Sequence, residues 1–140
     1  MPTKKVILIT GASSGIGKAT ALQLIQEGHT VYGAARRVEK MQELVNAGGH
    51  SLKMDVTADA DVKNGVDQII TKEGRIDVLV NNAGYAIYGS VEETNIDDAR
   101  RQFEVNIFGL ARVTQLVLPH MRQQGSGQII NVSSMGGRIY

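Results

Sequence analysis

The sequence predicts an α/β fold built on a doubly wound parallel sheet, and three observations carry that expectation. Short β-branched, apolar runs recur five times along the chain, and longer stretches with helical apolar spacing separate them. The connections between them are short, so each strand–helix–strand step is expected to be a right-handed crossover onto a parallel neighbour. Three of the runs are near-continuously apolar, as strands covered on both faces are.

The first strand is read at 5–10 (KVILIT), ending at a glycine-rich loop that opens a helix over 16–27. TVYGAA at 30–35 is the second strand and precedes a helix at 38–47. HSLKM at 50–54 is the third, followed by a helix at 59–73, and IDVLV at 76–80 is the fourth. The longest helix, 96–123, places Phe103, Ile107, Leu110, Ala111, Thr114, Leu118 and Met121 on one side. Pro119 is expected to kink or distort it near its end. GQIINVS at 127–133 is the fifth strand. No linker, repeat or low-complexity tract divides the chain.

Composition excludes several function classes. The 140 residues fit one domain with a modest core, and 42% apolar content suits a globular protein. A net charge of +1 gives no bulk attraction to nucleic acid or anionic membrane. With no cysteine there is no disulfide, no thiolate zinc site and no cysteine nucleophile, and no metal site is expected. The run in KKVILIT is too short for a signal peptide, and Gly11 cuts it off. No stretch approaches the ~20 apolar residues of a membrane span. The expected compartment is the cytoplasm.

The loop TGASSGIGKAT, directly after the first strand, admits three chemistries. Gly11 to Gly15 satisfies G-x-S-x-G, the nucleophile elbow of α/β-hydrolases, with Ser13 as nucleophile and His120 as the only plausible base. That reading gives no reason for Gly17. A phosphate-binding P-loop fails twice: five residues separate Gly11 from Gly17, one too many, and Ala19 stands where a magnesium-binding hydroxyl belongs. A dinucleotide loop uses all three glycines. Gly11 makes the tight turn, Gly15 admits a pyrophosphate, and Gly17 lets helix and strand approach. A glycine-rich helix start without a ligand is the plain alternative. After the second strand, where an acidic residue would read a ribose 2′-OH, the chain has Ala35, Arg36 and Arg37. Guanidinium groups there suit a 2′-phosphate, so NADP(H) is expected over NAD(H).

Written as TGASSGIG, the loop resembles that of the short-chain dehydrogenase/reductase family, and four further blocks in the right order extend the resemblance over essentially all 140 residues. They are MDVT at 54–57, VNNAG at 80–84, EVNIFG at 104–109 and INVSSMGG at 130–137. The resemblance implies a Rossmann-type dinucleotide-binding domain over 1–140 and hydride transfer between NADP(H) and an alcohol or ketone. Its cofactor contacts fall on Gly11, Ser13, Ser14, Gly15, Ile16, Gly17, Arg36, Arg37, Asp55, Val56, Asn82, Ala83 and Gly84. Asp55 would bond the adenine amino group, although Asp55 or Thr57 is also a plausible cap for the helix starting near Ala58. Ser134 would hydrogen-bond the substrate's oxygen, Ser133 pointing the other way. Asn106 would bend its helix and hold a proton-relay water with its backbone carbonyl.

The family's acid–base tyrosine, in Y-x-x-x-K, should lie farther beyond the serine than Tyr140, which follows Ser134 by six positions with no lysine after it. Tyr32, Tyr85 and Tyr88 also lack a lysine four positions on. The expectation is therefore the N-terminal portion of a longer enzyme, inactive by itself and forming a homodimer or homotetramer, through helix 96–123 among other surfaces, when whole. A non-catalytic NADP(H)-binding sensor or interaction module is the alternative. Tyr85, Ile87 and Tyr88 form an apolar, partly hydroxylated wall where a medium-sized alcohol or ketone would enter.

Overall fold

Residues 3–139 are described by the computed structural model. Its five strands, β1 (Val6–Thr10), β2 (Thr30–Ala35), β3 (His50–Lys53), β4 (Val78–Asn81) and β5 (Gln128–Asn131), form one parallel sheet in the order β3-β2-β1-β4-β5. The chain leaves β1 in one direction for β2 and β3, then crosses back to build β4 and β5 on the other side. The crevice between the loops after β1 and β4 is thus the switch point, where such sheets bind ligands.

Alternation along each strand explains the two-sided burial. Val6, Leu8, Tyr32, Ala34, Leu52 and Leu79 face α3 (Asp59–Glu73) and α5 (Leu110–Gln124). Ile7, Ile9, Val31, Ala35, Val78 and Val80 face α1 (Gly15–Gln26), α2 (Gln42–Asn46) and the 3₁₀ turn Val38–Met41 that leads into α2. Gly33 belongs to this second face, and a Cβ on it would lie 2.6 Å from Leu44 Cδ2. A larger residue in mid-strand would push α2 off the sheet.

The expected helix at 96–123 is composite: α4 (Ile96–Phe103), a π-helical segment (Glu104–Gly109) and α5. Asn95 caps α4, its side-chain oxygen accepting from the N–H groups of Asp97 and Asp98. The helix runs unbroken through Pro119 to Gln124, and its departure from α geometry lies at 104–109 instead. The apolar side also needs correction. Gly109, Val113, Val117 and Met121 are the buried positions, whereas Phe103 is 57% and Ile107 53% exposed. A π turn is wider than an α turn, so the stripe before it does not continue the stripe after it. Apolar residues also lie on more than one side of this helix, and the expected side shares Met121 with the buried one but misses Val113 and Val117. β5 ends at Asn131, two residues before the expected boundary, and forms the sheet edge beside β4 with Ile130 exposed. Among the described residues, no helix is long and apolar enough to cross a membrane.

Candidate functional site

The glycine loop is held from across the switch point by one hydroxyl and one amide. Thr10 Oγ1, at the end of β1, accepts the backbone N–H groups of Asn82 and Ala83, each at 3.0 Å. Asn82 Nδ2 donates back to the Gly11 carbonyl at 3.2 Å. A Cβ at Gly17 would stand 2.4 Å from both that carbonyl oxygen and Asn82 Nδ2. Gly11 (φ 66°) and Gly15 (φ 58°) lie in the left-handed region. The loop and the VNNAG block are therefore one packed unit.

Ser14 occupies the cap position of α1 with an extended backbone but makes no side-chain capping bond, and the helix has no acidic residue in its first turn. First-turn N–H groups left without a capping side chain favour an anion. Ser13 is half-buried in this loop, and Ile16 is exposed beside it. The hydrolase alternative finds no support. No non-glycine residue among those described has a positive φ, so Ser13 lacks a strained elbow of that kind. His120 lies near the C-terminal end of α5, which leads to the start of β5, at the opposite end of the parallel strands from Ser13.

Arg36 and Arg37 follow β2 directly, are exposed, and form no ion pair among the described residues. Arg36 also lines a cleft of about 410 Å³ with Tyr85, Ala86, Ile87, Asp98 and Arg101. Asp55 shapes its own turn, Oδ1 accepting from Thr57 N at 2.9 Å and from Thr57 Oγ1 at 2.7 Å. Burial pushes the Asp55 carboxyl up, but the Thr57 hydrogen bonds and the charges of Arg36 and Arg112 outweigh it and hold the group below its ordinary value. The cap position of α3 is Ala58, with no side-chain capping bond, so neither Asp55 nor Thr57 caps that helix.

Asn106, in the π segment, is bonded through both ends of its side-chain amide to the segment after β4. Its Oδ1 accepts Tyr85 N–H at 3.1 Å and its Nδ2 donates to Tyr85 O at 2.7 Å. Gly84 is the neighbour that permits this, since a Cβ there would lie 2.9 Å from Asn106 Oδ1. Ser134 follows the end of β5 and caps a 3₁₀ turn, its Oγ accepting Gly136 N–H at 3.2 Å. No hydrogen bond joins Ser134 to Asn106 among the described residues. Tyr140 lies outside them.

Sequence reasoning gave no role of their own to three polar residues that hold this frame, Thr10, Asn81 and Asn131, and placed a fourth, Thr114, only on the apolar side of its helix. Asn81, 4% exposed, donates from Nδ2 to Thr114 Oγ1 and to Asn131 Oδ1, each at 3.0 Å. Its own Oδ1 is the one buried side-chain polar atom without a partner among the described residues. A polar residue closing an apolar strand was the available signal.

Residues 5–140 match the family model described as short chain dehydrogenase. A 3-ketodihydrosphingosine reductase from Bacteroides thetaiotaomicron is 45% identical over 95% of this chain and 48% of its own length. A short-chain dehydrogenase from Streptomyces avermitilis superposes with a TM-score of 0.93 at 42% identity, over 99% of this chain and 52% of that one. An NAD+-bound xylitol dehydrogenase gives a TM-score of 0.89 at 35% identity, over 95% and 54%. The chain spans about half the length of the curated relatives it matches.

Proposed function

The chain belongs to the short-chain dehydrogenase family, and from that premise we propose that the whole protein is an NADP(H)-dependent oxidoreductase interconverting an alcohol and a ketone. The observation that carries this reading is the joined pair of loops at the switch point, where Thr10 and Asn82 lock a glycine cradle in front of an uncapped helix N-terminus. Such a cradle fits a dinucleotide: Gly11 and Gly17 pack it against Ala83 and Asn82, while the space at Gly15 is open, with nothing within 4 Å of a Cβ placed there. Gly11, Ser13, Ser14, Gly15, Ile16 and Gly17 would receive the pyrophosphate. Asn82, Ala83 and Gly84 would flank the adenosine ribose, and Asp55 and Val56 the adenine.

Arg36 and Arg37 support NADP(H) over NAD(H): two guanidinium groups without a carboxylate partner among the described residues follow β2 where a 2′-phosphate would stand. The bound nicotinamide supplies the hydride chemistry. Ser134 would donate its hydroxyl proton in a hydrogen bond to the substrate oxygen, and Asn106 would hold the segment at Tyr85 against the site. The exposed Tyr85, Ile87 and Tyr88 make an apolar wall suited to a medium-sized carbonyl compound. Exposed Phe103, Ile107 and Phe108 support burial of the helix against a second copy.

The test is a pair of measurements on the whole protein. NADPH absorbance followed with a panel of ketones should show turnover, and titration of reduced-nicotinamide fluorescence should show NADPH bound roughly tenfold or more tighter than NADH, from a charge-assisted bond of about 1.5–3 kcal/mol. Ala35→Asp combined with Arg36→Ala should reverse the preference. Equal affinities in the parent would overturn the NADP assignment, and no turnover with any ketone would overturn the reaction.

A further inference from the structure

Arg112, on α5, joins two segments that the chain keeps about fifty residues apart, and no motif singled it out. Nη1 donates to the Val56 carbonyl at 2.7 Å, Nη2 to Glu104 Oε1 at 3.0 Å, and Nε to the Asp59 carboxylate. The side chain is 21% exposed. Beside it the Val56 side chain packs on the Gly109 backbone: a Cβ at Gly109 would lie 2.7 Å from Val56 Cγ2. Nη1 and Nε thus hold the Asp55–Thr57 turn and the start of α3, and Nη2 holds the π segment. That π segment carries Asn106, whose amide fixes the backbone of Tyr85 at both its N–H and its carbonyl. A planar fork fixes direction as well as charge, which an ammonium on a flexible stem does not.

We propose that Arg112 is a positioning residue that sets the Asp55–Val56 turn and the Asn106 segment at one separation, so that recognition of the cofactor's base and the rate of turnover depend on the same guanidinium. This rests on the reading of the chain as dinucleotide-binding. The consequence is specific. Removing the fork lets the turn move, and Asp55 then loses its aim at the adenine amino group without itself being changed.

The experiment compares NADPH with its analogue carrying hypoxanthine in place of adenine, which lacks that amino group. Both are titrated by reduced-nicotinamide fluorescence against the whole protein. The parent should prefer NADPH. Arg112→Met should bind NADPH at least tenfold more weakly, lose most of the preference for adenine, and show a lower kcat at saturating cofactor. Arg112→Lys, which keeps the charge and loses the fork, should show a partial loss of the preference. A general loss of stability would weaken both ligands alike, so retention of the parent's affinity ratio in Arg112→Met overturns the proposal. If the methionine variant does not fold, the lysine variant decides, and a fully retained ratio there overturns it. A parent that binds neither dinucleotide overturns the dinucleotide reading itself and the proposal with it.

Discussion

A methyl group at Gly17 would press on the Gly11 carbonyl and the Asn82 amide at once, whereas one at Gly15 would meet nothing within 4 Å. The two glycines are therefore required for different reasons, and their substitution should show it. Gly17→Ala should cost about 1–3 kcal/mol by overpacking and should also displace Asn82 from Gly11. Gly15→Ala should cost about 1–2 kcal/mol, the penalty of a left-handed backbone, and leave Asn82 in place. Urea unfolding measures both costs, and the Asn82 side-chain amide resonances by NMR separate the causes. An unmoved Asn82 resonance in Gly17→Ala would contradict the packing argument. The glycines were legible in the sequence because their spacing in the loop between a strand and a helix marks a tight turn and a close approach. Thr10 was not, because its partners Asn82 and Ala83 come beside it only once β4 lies next to β1.

Between elements, the β1–β4 junction depends on a buried carboxylate. Asp77 Oδ2 accepts Val6 N–H at 2.8 Å, and Oδ1 pairs with Arg75 at 2.5 Å. Burial pushes this carboxyl up, but the Arg75 and Val6 hydrogen bonds and the charges of Arg75 and Lys5 outweigh it and hold it below its ordinary value. A group depressed in the folded state adds stability that is present above its unfolded value and lost as pH falls through the folded one. Asp77→Asn keeps an acceptor for Val6 and loses the ion pair. It should lower unfolding stability by about 1–2 kcal/mol at neutral pH, with the gap to the parent closing progressively below about pH 4. Urea titrations across that range check the sign, and a gap that widens on acidification would refute it. The strands were readable as short β-branched apolar runs, and most helix limits from the helical spacing between those runs. The exception was the helix after β4. Its apolar residues encircle it, and the side that meets the sheet, that of Val113, Val117 and Met121, is set by the packing of α5 beyond the π segment.

At the scale of the whole molecule, the parallel sheet brings to the carboxyl end of its strands residues that the chain scatters from Gly11 to Ser134. Ser134 is the last of them and is placed by pairing rather than by local sequence. β5 is aligned to β4 through Asn81 opposite Asn131, a pair also joined by their side chains, and Ser134 follows three residues later. Its Oγ accepts from Gly136 N–H, which leaves the hydroxyl proton free to be donated to a carbonyl oxygen. Ser133 was expected to point the other way by strand alternation, but β5 has already ended at Asn131, so the distinction between the two serines rests on that Gly136 contact. If Ser134 orients the substrate, Ser134→Ala in the whole protein should lower kcat by on the order of 10²–10³, the effect of losing one oriented donor, while NADPH affinity by fluorescence stays within a factor of about two, well under 1 kcal/mol. Ser133→Ala should lose far less. Steady-state rates with a ketone that the parent reduces, measured beside the cofactor titration, decide it. Equal losses in the two alanine variants, or a fall in cofactor affinity large enough to account for the slower rate, would assign Ser134 to the architecture of the turn and remove it from the chemistry.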